Sequence, residues 1–167
     1  MEVKALKFGG LTAKRPIVQG GMGVGVSLSS LAVNVAKCGG IGTISGVHPS
    51  YREADFKENP FRANLRAIGN ELEKAKEIAN GGIIGFNFMT VMNHYEEYVK
   101  EAIAAGADFI VSGAGLPVNL AKYAAGTRAA ILPIVSSARA LKLIVKQWQR
   151  ADRLPDAVVV ELSLIHI

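Results

Sequence analysis

Residues 16–27 read Pro16-Ile-Val-Gln-Gly-Gly-Met-Gly-Val-Gly-Val-Ser27, and the reading of this stretch decides the fold. A short apolar run, Pro16 to Val18, stops at the glycines Gly20, Gly21, Gly23 and Gly25. Helical spacing follows over Leu28–Lys37, with Ser27, Ser29 or Ser30 available as its cap. A strand that ends in glycines and enters a helix brings backbone N–H groups up to a ligand with no side chain in the way. The dinucleotide fingerprint does not fit, because Gly is needed at i, i+2 and i+5. From Gly21 those positions are Gly23 and Val26, and from Gly23 they are Gly25 and Leu28. Where an acidic residue should follow, the chain has Gly40-Ile-Gly-Thr-Ile44, and no Gly-Lys-Ser/Thr exists for a P-loop. A tight βα turn without a ligand remains open on this motif alone.

Outward from that stretch, apolar runs and amphipathic segments alternate. Gly39-Gly40 closes the first helix and Ile41–Ile44 forms a second strand, ending at Ser45-Gly-Val-His48-Pro49. Residues 56–60 read as a loop and Phe61 to Ala79 as a charged helix with Leu65, Ile68, Leu72, Ala75 and Ile78 on one face. Ile83–Met89 is near-continuously apolar, as a strand covered on both faces would be. A helix from His94 to Ala105 leads to a strand at Asp108–Val111, which ends in Ser112-Gly-Ala-Gly-Leu-Pro117. Pro117 suits the first turn of a helix to about Ala124. Ala129–Val135, a helix from Ala138 to Gln149, and a sixth strand at Asp156–Glu161 complete the series. Strand starts mostly lie about 25 residues apart, the spacing of βα units in a parallel sheet. Small or polar residues follow every strand, including Asn87, Ser136-Ser137 and Glu161. Six successive loops of this kind suit a barrel rim better than the one or two crevice loops of a doubly wound sheet.

Composition sets the class. Half of the 167 residues are hydrophobic, a fifth are charged and 18 are glycine, as in a well-buried α/β protein. The net charge of +5 is spread without basic runs, which argues against a nucleic-acid surface. No window reaches 18 apolar residues and no signal-peptide pattern opens the chain, so no membrane role and a cytoplasmic location are predicted. The single cysteine, Cys38, falls in an apolar helical pattern and is predicted to be a buried core thiol. No Cys/His/carboxylate set has metal-ligand spacing, Glu96-Glu97 reads as a solvated helix face, and His48 as a solvated loop histidine. His94 reads as a helix-start residue with no partner in view. Met89 and Met92 read as packing residues, and Asn87 by itself could satisfy backbone at a strand end.

Six motifs occur in one order: Pro-Ile-Val-Gln-Gly-Gly-Met-Gly, Gly-Gly-Ile-Gly-Thr-Ile-Ser, Gly-Phe-Asn-Phe-Met, Ser-Gly-Ala-Gly-Leu-Pro, Pro-Ile-Val-Ser-Ser and Asp-Ala-Val-Val-Val-Glu. Together they resemble the nitronate monooxygenase family, formerly called 2-nitropropane dioxygenases, whose members are FMN-dependent (β/α)8 TIM barrels. Flavin-dependent enoyl-acyl-carrier-protein reductases are similar. The resemblance implies an oxidoreductase that uses FMN and O2 to convert a nitronate to a carbonyl compound and nitrite. Its alternatives are an enoyl-acyl-carrier-protein reductase or a non-catalytic flavin-binding half-barrel. It implies FMN contacts at Gly21, Met22, Gly23, Asn87, Gly113, Gly115 and Ser136. Gly21, Met22 and Gly23 would lie against the ring, Asn87 would hydrogen-bond it, and Gly113 and Gly115 would leave it room.

The resemblance runs over roughly residues 3–161 and then stops. Where the family continues into a Gly-His loop carrying its histidine, this chain reads Leu-Ser-Leu-Ile-His-Ile, so His166 inherits no role and no catalytic residue is assigned. Against the roughly 250 residues of a full barrel, an incomplete barrel of about six βα units over 1–161 is expected. Residues 162–167 read as a non-native tail. The loops expected to grip the phosphate are missing, and the chain alone is expected to fold poorly, hold FMN weakly and be inactive.

Overall fold

The computed structural model of the protein describes residues 3–161, so the expected tail at 162–167 lies outside the described residues. The chain opens with a small antiparallel hairpin, β1 (Leu6–Phe8) and β2 (Leu11–Ala13), which no sequence pattern announced. It continues through α1 (Ser29–Lys37), β3 (Ile41–Ser45), α2 (Pro60–Ala79), β4 (Ile83–Met89) and α3 (Tyr95–Ala104). Then come β5 (Phe109–Gly113), α4 (Leu120–Tyr123), β6 (Ala130–Val135), α5 (Ala138–Trp148), a 3₁₀ turn (Gln149–Ala151) and β7 (Val159–Val160). Strands β3 to β7 form one sheet in sequence order, and every neighbouring pair is parallel. Sequential parallel neighbours joined by helices make a half-barrel, in agreement with the incomplete TIM barrel expected from the sequence.

Each strand has an outer and an inner face. Outward go Ile44, Ile84, Phe86, Phe88, Ile110 and Ile131, packed under the helices with Ile68, Leu72, Val99 and Trp148. Trp148 is fully buried and donates its indole N–H to the Pro117 carbonyl at 2.8 Å, so its one polar group is satisfied. Inward go Ile41, Phe109, Val111, Ala130 and Leu132, and the hairpin residues Phe8 and Ala13 pack onto them. The ring of Phe8 meets that of Phe109 edge-on at 6.3 Å. The hairpin thus plugs the end of the half-barrel where the strands begin.

That end also carries a repeated clasp. The Asp108 N–H donates to the Ile84 carbonyl at 2.9 Å while its carboxylate accepts from the Ile84 N–H at 2.7 Å. Asp156 does the same with Ile131, at 3.1 and 2.8 Å. Lys76 pairs with Asp108 and Arg153 with Asp156, so each carboxylate accepts charge-assisted hydrogen bonds just ahead of a strand.

Four expectations are corrected. Residues 16–18 do not form a strand; they touch the sheet through a single parallel bridge, Val18 to Ile41. Pro16 has no N–H to donate, and among the described residues no strand lies on the outer side of this segment, leaving Ile17 and Val18 exposed. The sixth strand shortens to Val159–Val160. Cys38 is exposed, because it follows the last helical residue of α1 and lines an outer cleft with Lys14, Arg15 and Lys37 at the hairpin end. Nor does a serine hydroxyl cap α1. Glu71 of α2 accepts from the Ser29 N–H at 2.9 Å and from its hydroxyl, placing a carboxylate at the positive end of the helix.

Candidate functional site

The open end of the half-barrel lies where the strands finish. There Gly21, Met22, Gly23, Val47, Asn87, Met89, Gly113, Ala114, Ile134 and Glu161 surround a cavity of about 350 Å³, within the range of small-molecule sites. Five of the seven residues singled out from the sequence meet in it: Gly21, Met22, Gly23, Asn87 and Gly113. Gly115 and Ser136 line an adjoining cavity of about 290 Å³, which shares Ala114, Ile134 and Glu161 with the first.

Asn87 reaches the mouth because β4 carries inward side chains at alternate positions, and Asn87 pairs with Ser45 across β3 and with Val111 across β5. Its backbone is occupied, since its carbonyl accepts from the Gly46 N–H at 2.8 Å. Its side-chain amide makes no hydrogen bond among the described residues, although it lines the cavity. That removes the simpler reading in which the amide satisfies strand-end backbone. An amide with two donors and an acceptor, free at the edge of a cavity, is available to orient a polar ligand edge.

The glycines have reasons inside the protein as well. A Cβ on Gly21 would lie 2.4 Å from the Asn87 Cβ, so only glycine lets the 20–24 segment pass directly over Asn87. A Cβ on Gly113 would come 2.9 Å from Ile134. Gly115 has φ +125°, which L side chains rarely adopt, and a Cβ there would reach 2.3 Å from the Thr90 hydroxyl oxygen. The preceding Ala114 also has positive φ, 52°, and its carbonyl is held by the Thr90 hydroxyl at 2.8 Å. The loop after β5 is therefore a tight, tethered turn at the junction of the two cavities.

The apolar share of the wall comes from Met22, Val47, Met89 and Ile134. Met22 is 61% exposed, and Met89, expected merely to pack, faces the cavity. His48 is exposed as expected, with its ring against Phe56 and its Nδ1 3.4 Å from the Asn64 amide nitrogen. His94, for which the sequence showed no partner, lies on the Phe61 ring at 4.2 Å. Neither histidine lines the cavity. Glu96 pairs with Lys100 on the surface of α3, and Glu97 is exposed beside it.

An inner face with small residues and a free amide at the strand-end rim, over a plugged opposite end, defines a TIM-barrel-type α/β protein with a cofactor-sized mouth. The chain belongs to the nitronate monooxygenase family, whose model matches residues 4–163. No curated relative matches the sequence. Among solved structures, FabK from Thermotoga maritima is similar with a TM-score of 0.66 and 21% identity, over 87% of this chain and 40% of that one. Nitroalkane oxidase from Streptomyces ansochromogenes is similar with a TM-score of 0.57 and 15% identity, over 87% of this chain and 45% of that one. Both are likenesses of fold, and the chain spans under half the length of either protein.

Sequence reasoning missed Val47, Ala114 and Ile134 as wall residues, because a single apolar or small residue at a strand end carries no signal. Gln19 and Ser27 hold the rim, a role the sequence does not display: Ser27 reads there only as a candidate helix cap. Gln19 stands in the quoted motif as the one polar residue between the apolar run and the glycines.

Proposed function

We propose that this chain carries the flavin-facing part of an FMN-dependent oxidoreductase that oxidises alkyl nitronates with O2 to a carbonyl compound and nitrite. The observation that supports it most is the unpartnered Asn87 amide at the mouth of the cavity, within a chain of this family. The residue types suit a flat ring with one polar edge. Met22, Val47, Met89 and Ile134 supply apolar wall, and Asn87 supplies a donor and acceptor pair. Gly115 and Ser136, beside the adjoining cavity, are suited to the ribityl side.

When bound, FMN would supply the electron transfer between nitronate and oxygen. The chain's own residues bind and orient. Asn87 fixes the polar edge of the ring, the apolar wall excludes water from its face, and the 20–24 segment closes one side. No residue of the mouth is assigned to move a proton.

The test is a titration of the full-length protein with FMN, followed by flavin fluorescence, and then two assays. Nitrite release from ethylnitronate supports the proposal. NADH-dependent reduction of a crotonyl thioester in its place transfers the assignment to enoyl reduction. Flavin binding with neither turnover leaves a flavin-binding half-barrel, and no flavin binding overturns all three.

A further inference from the structure

The segment that closes the mouth leaves the sheet in an unusual way. The Ile17 carbonyl accepts from the Ile41 N–H at 2.9 Å, and the Gln19 N–H donates to the Ile41 carbonyl at 3.0 Å, one regular parallel rung. The next rung would join the Thr43 N–H to the Gln19 carbonyl, and the Gly21 N–H to the Thr43 carbonyl. Neither backbone bond is present. Instead the Gln19 side-chain amide serves both groups of Thr43, accepting from its N–H at 3.2 Å and donating to its carbonyl at 2.9 Å. A primary amide has the same donor and acceptor geometry as a peptide, so it can stand in for one. The sheet stays satisfied at Thr43 while the backbone of residues 20–24 is released to turn across the mouth above Asn87.

Ser27, 1% exposed, fastens the released segment. Its hydroxyl oxygen accepts from the Met22 N–H at 2.9 Å and from the Gln19 amide at 2.9 Å, and donates to the Gly20 carbonyl at 3.1 Å. Its backbone N–H donates to the Met22 carbonyl at 2.9 Å, and its carbonyl accepts from the Ser45 N–H at 2.8 Å. The two side chains therefore control where Gly21, Met22 and Gly23 sit, and neither lines the cavity.

We infer that Gln19 and Ser27 are positioning residues of the site: the Gln19 amide replaces one rung of the sheet and Ser27 pins the freed segment over Asn87. The ligand in this inference rests on the FMN reading above, whereas the pinning rests on the hydrogen bonds alone.

The test uses the full chain, with Gln19→Met and the matched pair Ser27→Thr and Ser27→Val, which share a shape and differ in the hydroxyl. Amide hydrogen exchange of peptides covering 19–27 is compared with that of β4 and β5 peptides, and FMN affinity is measured by fluorescence. Gln19→Met and Ser27→Val should speed exchange in 20–27 by about tenfold and weaken FMN by a similar factor, with β4 and β5 unchanged. Ser27→Thr should keep both within about threefold of the parent. Unchanged exchange in 20–27 overturns the inference, and so does a loosened segment with unchanged FMN affinity. If the parent takes up no FMN, the flavin reading fails by itself, and exchange alone still decides the pinning. Should Gln19→Met not fold, the serine pair gives the answer.

Discussion

The two ends of the inner face use one device for opposite purposes. Where strands begin, Asp108 and Asp156 each clasp the N–H and carbonyl of a neighbouring strand, with Lys76 and Arg153 beside them. Where the first segment leaves the sheet, Gln19 clasps the N–H and carbonyl of Thr43 with a neutral amide. The charged clasps open strands above the plugged end, where Phe8 fills the interior. The neutral one ends a segment and releases backbone over an open mouth. The same local chemistry thus anchors the fold at one end and shapes a cavity at the other.

Phe8→Ala should separate the two ends most sharply. Removing a 9%-exposed ring that packs on Phe109 should cost about 3 kcal/mol, read as a shift in denaturant midpoint, while FMN affinity of the folded fraction stays put. Asp156→Ala should cost about 2 kcal/mol, because the Ile131 N–H loses a charged acceptor. If it alters FMN binding as much as stability, the ends are coupled and the contrast fails. Asn87→Ala should do the reverse, weakening FMN by about tenfold with stability within about 0.5 kcal/mol, since its amide has no partner to lose among the described residues.

The smallest expected effect is electrostatic. Burial would raise the Glu71 carboxyl, but the hydroxyl and N–H of Ser29, with Lys74 nearby, outweigh it and hold it below the usual carboxylate range. A carboxyl lowered on folding stabilises fully above that range and loses its contribution as pH falls through it. Stability should therefore drop between about pH 5 and pH 3, and Glu71→Gln should flatten that part of the curve by about 1 kcal/mol. A Glu71→Gln protein with the parent's acid profile would show that α1 does not depend on this charge.

Periodicity carried the fold far. The 3.6-residue spacing of α2 and the apolar run of β4 placed both elements to within a residue, because burial on one or both faces writes itself into the order of residue types. It failed where backbone, and not side-chain burial, makes the structure. The hairpin at residues 6–13 has three-residue strands, too short to show alternation, and residues 16–18 look like a strand yet hold one bridge. Cys38 lies outside the core for a related reason: an apolar neighbourhood in sequence does not say on which side of a helix end a residue falls. At the site, Asn87 and the glycines were legible as types at strand ends. Their company was not, since Val47 and Ile134 join them through strand register, which no single sequence displays.

The exposed Cys38 has a practical side. It is the sequence's only cysteine, and it sits at the hairpin end, away from Asn87 and the 20–24 segment. A maleimide dye or surface tether would therefore attach at one defined point and leave the mouth unobstructed, giving a labelled protein in which ligand uptake can be followed without engineering a new thiol.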